Sequence, residues 1–125
     1  MTTHDDRPAI ALRAILASLT GDSSVIGQLF AADVRASVPA PVTYAAALAV
    51  EFEDRRDAFA NVELTVASLE CRDARTWVEW TAAVTAASGC RGEVHGVTVI
   101  EFLGNRIVGF RQYSDSGVPP EQEPR

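Results

Sequence analysis

Few side chains in this sequence are of a type that moves protons, holds metals or attacks carbonyls, and their spacing narrows the chemistry further. The two histidines, His4 and His95, and the two separated cysteines, Cys71 and Cys90, lack any zinc-ligand spacing, so no metal site is expected. No Gly-rich phosphate loop is present, and nothing around the serines suggests a nucleophile elbow or an activated triad. No cofactor is called for. Three groups stand as candidates for proton transfer, Asp33, His95 and Asp115. Each also has a structural reading: Asp33 turning the chain after a helix, His95 on the outward face of a strand, Asp115 ending the last strand. Glu79 and Arg111 read as an opposite-charge pair across a sheet.

The elements that must position these groups are legible from periodicity. Asp5 and Asp6 precede Pro8, and Leu12, Ile15, Leu16 and Leu19 recur at helical spacing until Gly21, which stops a first helix. Asp22 or Ser23 caps a second, in which Val25, Ile26, Leu29 and Phe30 keep the period as far as Ala31-Ala32-Asp33. Val34 to Val38 is extended, and Pro39-Ala40-Pro41 forces a turn. Thr43 then caps a third helix, with Tyr44, Leu48 and Phe52 stacked on one side, Glu51 and Arg55 paired on the other, and fraying near Asp57 to Ala60.

Beyond that point the period changes from 3.6 to 2. Four strands are expected: one around Val62, Leu64 and Val66, then Arg75 to Ala87, Gly92 to Leu103 and Arg106 to Ser114. Gly104-Asn105 is a two-residue hairpin signal that makes the last two antiparallel neighbours. Alternation turns Val78, Trp80, Ala82 and Val84 inward, with Val94, Gly96, Thr98, Ile100 and Phe102 from the next strand and Val108, Phe110, Gln112 and Ser114 from the last. The opposite face carries Trp77, Val97, Val99, Ile107 and Tyr113 among charged residues, too apolar for water alone, so a homodimer through that outer face is expected.

The chain of 125 residues suits one domain, expected over residues 8–115 between a flexible N-terminus (1–7) and a flexible C-terminal tail (116–125). A net charge of -6 disfavours nucleic acid as a partner. No apolar run reaches the roughly 18 residues of a spanning helix, and no export signal opens the sequence, so a cytoplasmic protein that neither enters nor binds a membrane is expected, with both cysteines reduced.

Helices first and a hairpin-rich sheet after, with the phrases Leu29-Phe30-Ala31-Ala32-Asp33-Val34, Ile100-Glu101-Phe102 and Ile107-Val108-Gly109-Phe110-Arg111-Gln112-Tyr113-Ser114-Asp115, resemble the nuclear-transport-factor-2-like superfamily, nearest its SnoaL-like group. The resemblance covers about residues 8–115. It implies an α+β cone-shaped barrel, three N-terminal helices packed on a curved, mostly antiparallel sheet, with a ligand pocket inside and dimerisation through the sheet's outer face.

Such folds host several chemistries, so the residues must decide among them. Where limonene-epoxide-hydrolase-like enzymes carry an arginine and two aspartates, this chain has Trp80, Ala82 and Gln112. Where ketosteroid-isomerase-like sites carry a base, a tyrosine and an acid, it has Val38, Ala14 and Thr98; polyketide-cyclase-like members place their acid/base aspartate at Gln112. None of these side chains replaces the group it stands for near neutral pH. A one-residue slip in the correspondence brings Asp115 or His95 into question.

What the resemblance implies is a small hydrophobic organic ligand in a pocket lined by Tyr44, Leu48, Phe52, Trp80, Thr98, Ile100, Phe110 and Gln112, with Tyr44, Thr98 and Gln112 orienting it. Any reaction is a cyclisation, isomerisation or dehydration of a polyketide-like or terpenoid metabolite. The alternative is a non-catalytic dimeric interaction module with a filled cone.

Overall fold

A computed structural model describes residues 5–115. The expected C-terminal tail lies outside the described residues.

The first helix, α1 (Arg7–Thr20), carries Pro8 in its opening turn, where the missing N–H has no partner to lose. It ends at Gly21, whose φ of 77° lets its N–H and that of Asp22 both return to the Ala17 carbonyl. A β-carbon on Gly21 would lie 2.3 Å from the Arg56 backbone, so glycine is also needed for the close approach of the chain after the third helix. The buried stripe of α1 is Ala11, Ala14, Ile15, Ser18 and Leu19. Leu16, expected on that stripe, is exposed: small residues let the helix lie close on the sheet, and that rotation turns Leu16 outward.

The second helix is shorter than its period suggests. After a 3-10 turn (Ser23–Val25) capped by the Asp22 side chain, α2 covers only Ile26–Leu29. The chain is already extended at Phe30, so β1 runs Phe30–Ser37 and contains Ala31, Ala32 and Asp33. Pairing overrides local preference here: β1 lies parallel to the last strand, Phe30 opposite Ile107 and Ala36 opposite Phe110, with a register irregularity between Phe30 and Arg35. A short edge strand, β2 (Pro41–Thr43), folds back antiparallel on β1. The third helix, α3 (Ala45–Glu53), therefore begins later than expected; Thr43 is a strand residue, and Tyr44 takes a φ of 77° as its N–H donates to the Val34 carbonyl.

The remaining strands are β3 (Phe59–Arg72), β4 (Arg75–Ala86), β5 (Arg91–Leu103) and β6 (Arg106–Ser114). They complete a six-stranded mixed sheet ordered β2-β1-β6-β5-β4-β3, in which only the β1–β6 pair is parallel. Gly104, at φ 64°, turns the β5–β6 hairpin as expected. The architecture is the expected α+β cone, with α1 and α3 packed on the sheet and the core between.

Alternation holds on β4 and, apart from Val99, which is buried although expected on the outer face, on β5, where Val78, Trp80, Ala82, Val84, Val94, Thr98, Ile100 and Phe102 are buried. It fails on β6. A bulge sets Glu101 opposite Gly109 but Phe102 opposite Ile107, so Ile107 is fully buried and Val108 is displaced from the inward set. Ser114, expected inward, is exposed at the strand end. Glu79 and Arg111 do not pair either, since β5 separates their strands; Glu79 stands opposite Val97 and Arg111 opposite Val99. The cross-strand ion pair is Arg75 with Glu101, 2.9 Å.

Among the described residues no helix is long and apolar enough to cross a membrane.

Candidate functional site

One cavity of about 500 Å³ opens where the C-terminal end of α1, the chain after β1, the segment joining α3 to β3 and the end of β6 converge. Ser18 and Leu19 come from the helix, Val38 and Pro39 from the β1 exit, and Arg55, Ala58 and Phe59 from the segment after α3. Val94 of β5 and the run from Gln112 to Asp115 close the sheet side. Most of the wall is apolar, with Arg55 its cation and Asp115 its carboxylate.

Arg55 reaches this place because α3 ends at Glu53 and the chain turns back. Its guanidinium donates to the Val38 carbonyl and, at 3.4 Å, to the Glu51 carbonyl, holding the side chain against the mouth of the cavity. The expected ion pair with the Glu51 carboxylate is absent from the salt bridges among the described residues. Asp115 continues the β5–β6 ladder: its N–H donates to the His95 carbonyl and its Oδ1 accepts from the His95 N–H, both 2.9 Å.

Behind the wall a line of uncharged groups runs from the core to the helix. The Trp80 indole N–H donates to Thr98 Oγ1 (2.9 Å), Thr98 donates to Gln112 Oε1 (2.9 Å), Gln112 Nε2 donates to Ser18 Oγ (2.8 Å), and Ser18 donates to the Ile15 carbonyl (2.6 Å). Trp80, Thr98 and Ser18 are almost wholly buried, so this line is what makes their polar atoms tolerable in a core. Gln112 alone in it is part-exposed and meets the cavity alongside Ser18.

The pocket residues expected from sequence divide sharply. Gln112 lines the cavity. Leu48, Phe52, Trp80, Ile100 and Phe110 do not: they fill the interior, Phe30 meeting Phe52 and Phe110 edge-on at 6.1 and 5.4 Å, so the space expected among them is solid. Thr98 is buried and orients Gln112 rather than a guest. Tyr44 is 63% exposed, because its positive φ points it away from the stripe of Leu48 and Phe52. Of the positions matched to acid/base groups of related enzymes, Val38 and Gln112 line the cavity, while Ala14, Trp80, Ala82 and Thr98 lie in the core.

Of the proton-transfer candidates, Asp115 is at the cavity. Asp33 is on an exposed stretch of β1 and does not line it. His95 is on the outer face, its Nδ1 3.2 Å from Thr81 Oγ1 and its Nε2 3.4 Å from Glu93. It borders a shallow depression there with Thr81, Val97 and Tyr113. Arg55 is the charged lining residue that sequence reasoning missed, because helical spacing sets it on the polar side of α3 with Glu51, whereas it stands two positions past the last helical residue, Glu53. No group of three or more histidine, cysteine, aspartate or glutamate side chains among the described residues could hold a metal ion.

Residues 11–110 match the family described as the SnoaL-like domain. No curated protein sequence matches the chain. Among solved structures, AclR from Streptomyces galilaeus, a proposed hydroxylase, shares 20% identity over 90% of this chain and 91% of its own, with a TM-score of 0.74. A proposed polyketide cyclase from Acidithiobacillus ferrooxidans shares 18% over 94% of each chain at 0.73. A protein of ketosteroid-isomerase-like fold from Catenulispora acidiphila, solved in complex with trimethylamine, shares 23% over 89% of each chain at 0.69. At these identities the likeness is one of fold.

Proposed function

The chain belongs to the SnoaL-like domain family, and from that membership we propose that its cavity binds a small, largely apolar organic molecule of polyketide-like or terpenoid kind. The observation that carries the reading is the cavity itself. Its volume of about 500 Å³ falls within the range of small-molecule sites, and its apolar wall is interrupted by a few convergent polar groups, Gln112, Arg55 and Asp115. Cyclisation, isomerisation or dehydration of such a guest moves a proton at carbon or oxygen. On this reading Asp115 is the group that takes or returns that proton, and Arg55 is the cation that steadies negative charge developing on the guest. The outer sheet face joins two copies into a homodimer.

A second reading is favoured by one observation: the deep interior is filled by Trp80, Phe52 and Phe110, as suits a non-catalytic dimeric module. Thermal unfolding in the presence of apolar ketones, epoxides and aromatic polyketides separates the two. A guest that binds only the folded chain stabilises it, by about 2.7 kcal/mol at a hundred times its dissociation constant. The stabilisation should vanish in Ala58→Trp, which plugs the mouth from an exposed position. Flat responses across all three classes favour the module.

A further inference from the structure

Both ends of the hydrogen-bonded line through Gln112 are groups that cannot reverse their role. The Trp80 indole N–H only donates, and the Ile15 carbonyl only accepts. Thr98 therefore receives on its oxygen and has its own proton to give to Gln112 Oε1. Ser18, its proton committed to Ile15, is left to accept from Gln112 Nε2. Turning the amide over would set an N–H group against Thr98, leaving the hydroxyl proton of a fully buried threonine without an acceptor. The orientation of the Gln112 amide is thus fixed by its neighbours' chemistry.

The end that meets the cavity follows from the same partners. Ser18 lines the cavity and Thr98 does not, so the nitrogen end of the amide is the cavity end. Nε2 carries two protons, and one of them goes to Ser18. We propose that the second N–H of Gln112 makes the cavity a reader of acceptor oxygens on its guest, a ketone carbonyl above all, and that Thr98 and Trp80 are positioning residues that lock the amide for this purpose. Arg55, whose guanidinium can only donate, adds to the same preference from the segment after α3. Asp115 is the carboxylate of the lining, an acceptor suited to a guest hydroxyl. This deepens, and rests on, the reading of the cavity as a small-molecule site.

The test compares α-tetralone with tetralin, two guests of one shape that differ by a carbonyl oxygen, by titration calorimetry and by the NMR resonances of the Gln112 side-chain NH2. In the wild type α-tetralone should bind roughly threefold to tenfold tighter, the ratio that one hydrogen bond to an uncharged acceptor supplies. The Gln112 resonances should move with the ketone and not with the hydrocarbon. Thr98→Val keeps the shape and removes the hydroxyl that orients the amide; its ratio should fall towards one while tetralin affinity stays as it was. Equal wild-type affinities with unmoved Gln112 resonances overturn the inference and leave the cavity a binding site. Binding of neither guest overturns the binding reading and the inference with it. A Thr98→Val chain that keeps the full ketone preference removes the positioning role, and if that variant does not fold, Trp80→Phe, which removes the indole N–H that fixes the Thr98 hydroxyl from a site outside the cavity lining, is read in the same way.

Discussion

The β-carbon that Gly96 lacks would sit 2.2 Å from Cζ2 of Trp80, so the indole lies directly on the backbone of the neighbouring strand. Trp80 and Gly96 are register partners on β4 and β5, and the ring is 1% exposed, with no room to retreat. Gly96→Ala should therefore destabilise the fold by roughly 1–3 kcal/mol, the range for overpacking, measured by denaturant unfolding. It should also weaken the Trp80 to Thr98 hydrogen bond and with it the ketone preference of the cavity. A variant as stable as the wild type would mean that the ring does not rest where the contact puts it.

Asp5 ties down the start of α1. Its carboxylate accepts from the backbone and guanidinium of Arg7, and Arg7 in turn donates to the Asp73 carbonyl at the β3–β4 turn. The side-chain hydrogen bond with Arg7 first, and the backbone one second, lower the Asp5 pKa from 3.8 to about 2. A depressed carboxylate pKa contributes stability that is present above the unfolded value and lost as pH falls through the folded one. Asp5→Asn should thus lower Tm near neutral pH and converge with the wild type between about pH 4 and pH 2. The pair is solvent-exposed, so raising the salt concentration should shrink the difference. Parallel melting curves across that acid range would remove the link.

Asp115 has two separable roles. Its Oδ1 accepts the His95 N–H whether the side chain is charged or an amide, while only the carboxylate takes a proton from a guest. Asp115→Asn keeps an acceptor for the His95 N–H and should destabilise the fold less than Asp115→Ala, which loses it. For any guest that the wild type converts, Asp115→Asn should lower turnover by roughly a hundredfold or more, the contribution of a positioned base. Turnover unchanged in the asparagine variant would leave the residue only its place in the ladder.

Much of this molecule was legible in the sequence, and the parts that were not share a cause. Helical periods in α1 and α3, the period-two strands and the Gly104-Asn105 turn are local signals, and each element formed near its signal, though α3 starts at Ala45 and gives way to β3 already at Phe59. Phe30 to Asp33 looked helical because the strand it joins, β6, is more than seventy residues away in sequence and parallel to it. The β6 bulge is likewise set by the partner strand, and no composition marks it. The cavity follows the same rule: Gln112 stands out because it interrupts an apolar stripe, whereas spacing pairs Arg55 with the Glu51 carboxylate and its guanidinium instead meets the carbonyls of Val38 and Glu51. The bulge gives a sharp check. Ile107→Ala, at a fully buried site, should cost about 2–5 kcal/mol, and Val108→Ala, part-exposed beside it, less than about 1 kcal/mol. Simple alternation demands the reverse order.

The outer face of the sheet carries the last prediction. Val97 is 40% exposed and Tyr113 57%, and they stand opposite one another on β5 and β6, with the half-buried Trp77 on the next strand. An apolar patch at the centre of a sheet is poorly served by water, and a second copy covering it would bury the same residues on both chains about a two-fold axis. A charge at its centre would then be buried twice, close to its own image, where like charges repel and neither is solvated. Val97→Arg should therefore convert a dimer to a monomer in analytical ultracentrifugation with the isolated fold intact by circular dichroism, while Leu103→Arg, at the exposed end of the β5–β6 hairpin, leaves the mass unchanged. A wild-type chain that sediments as a monomer at all concentrations removes the interface.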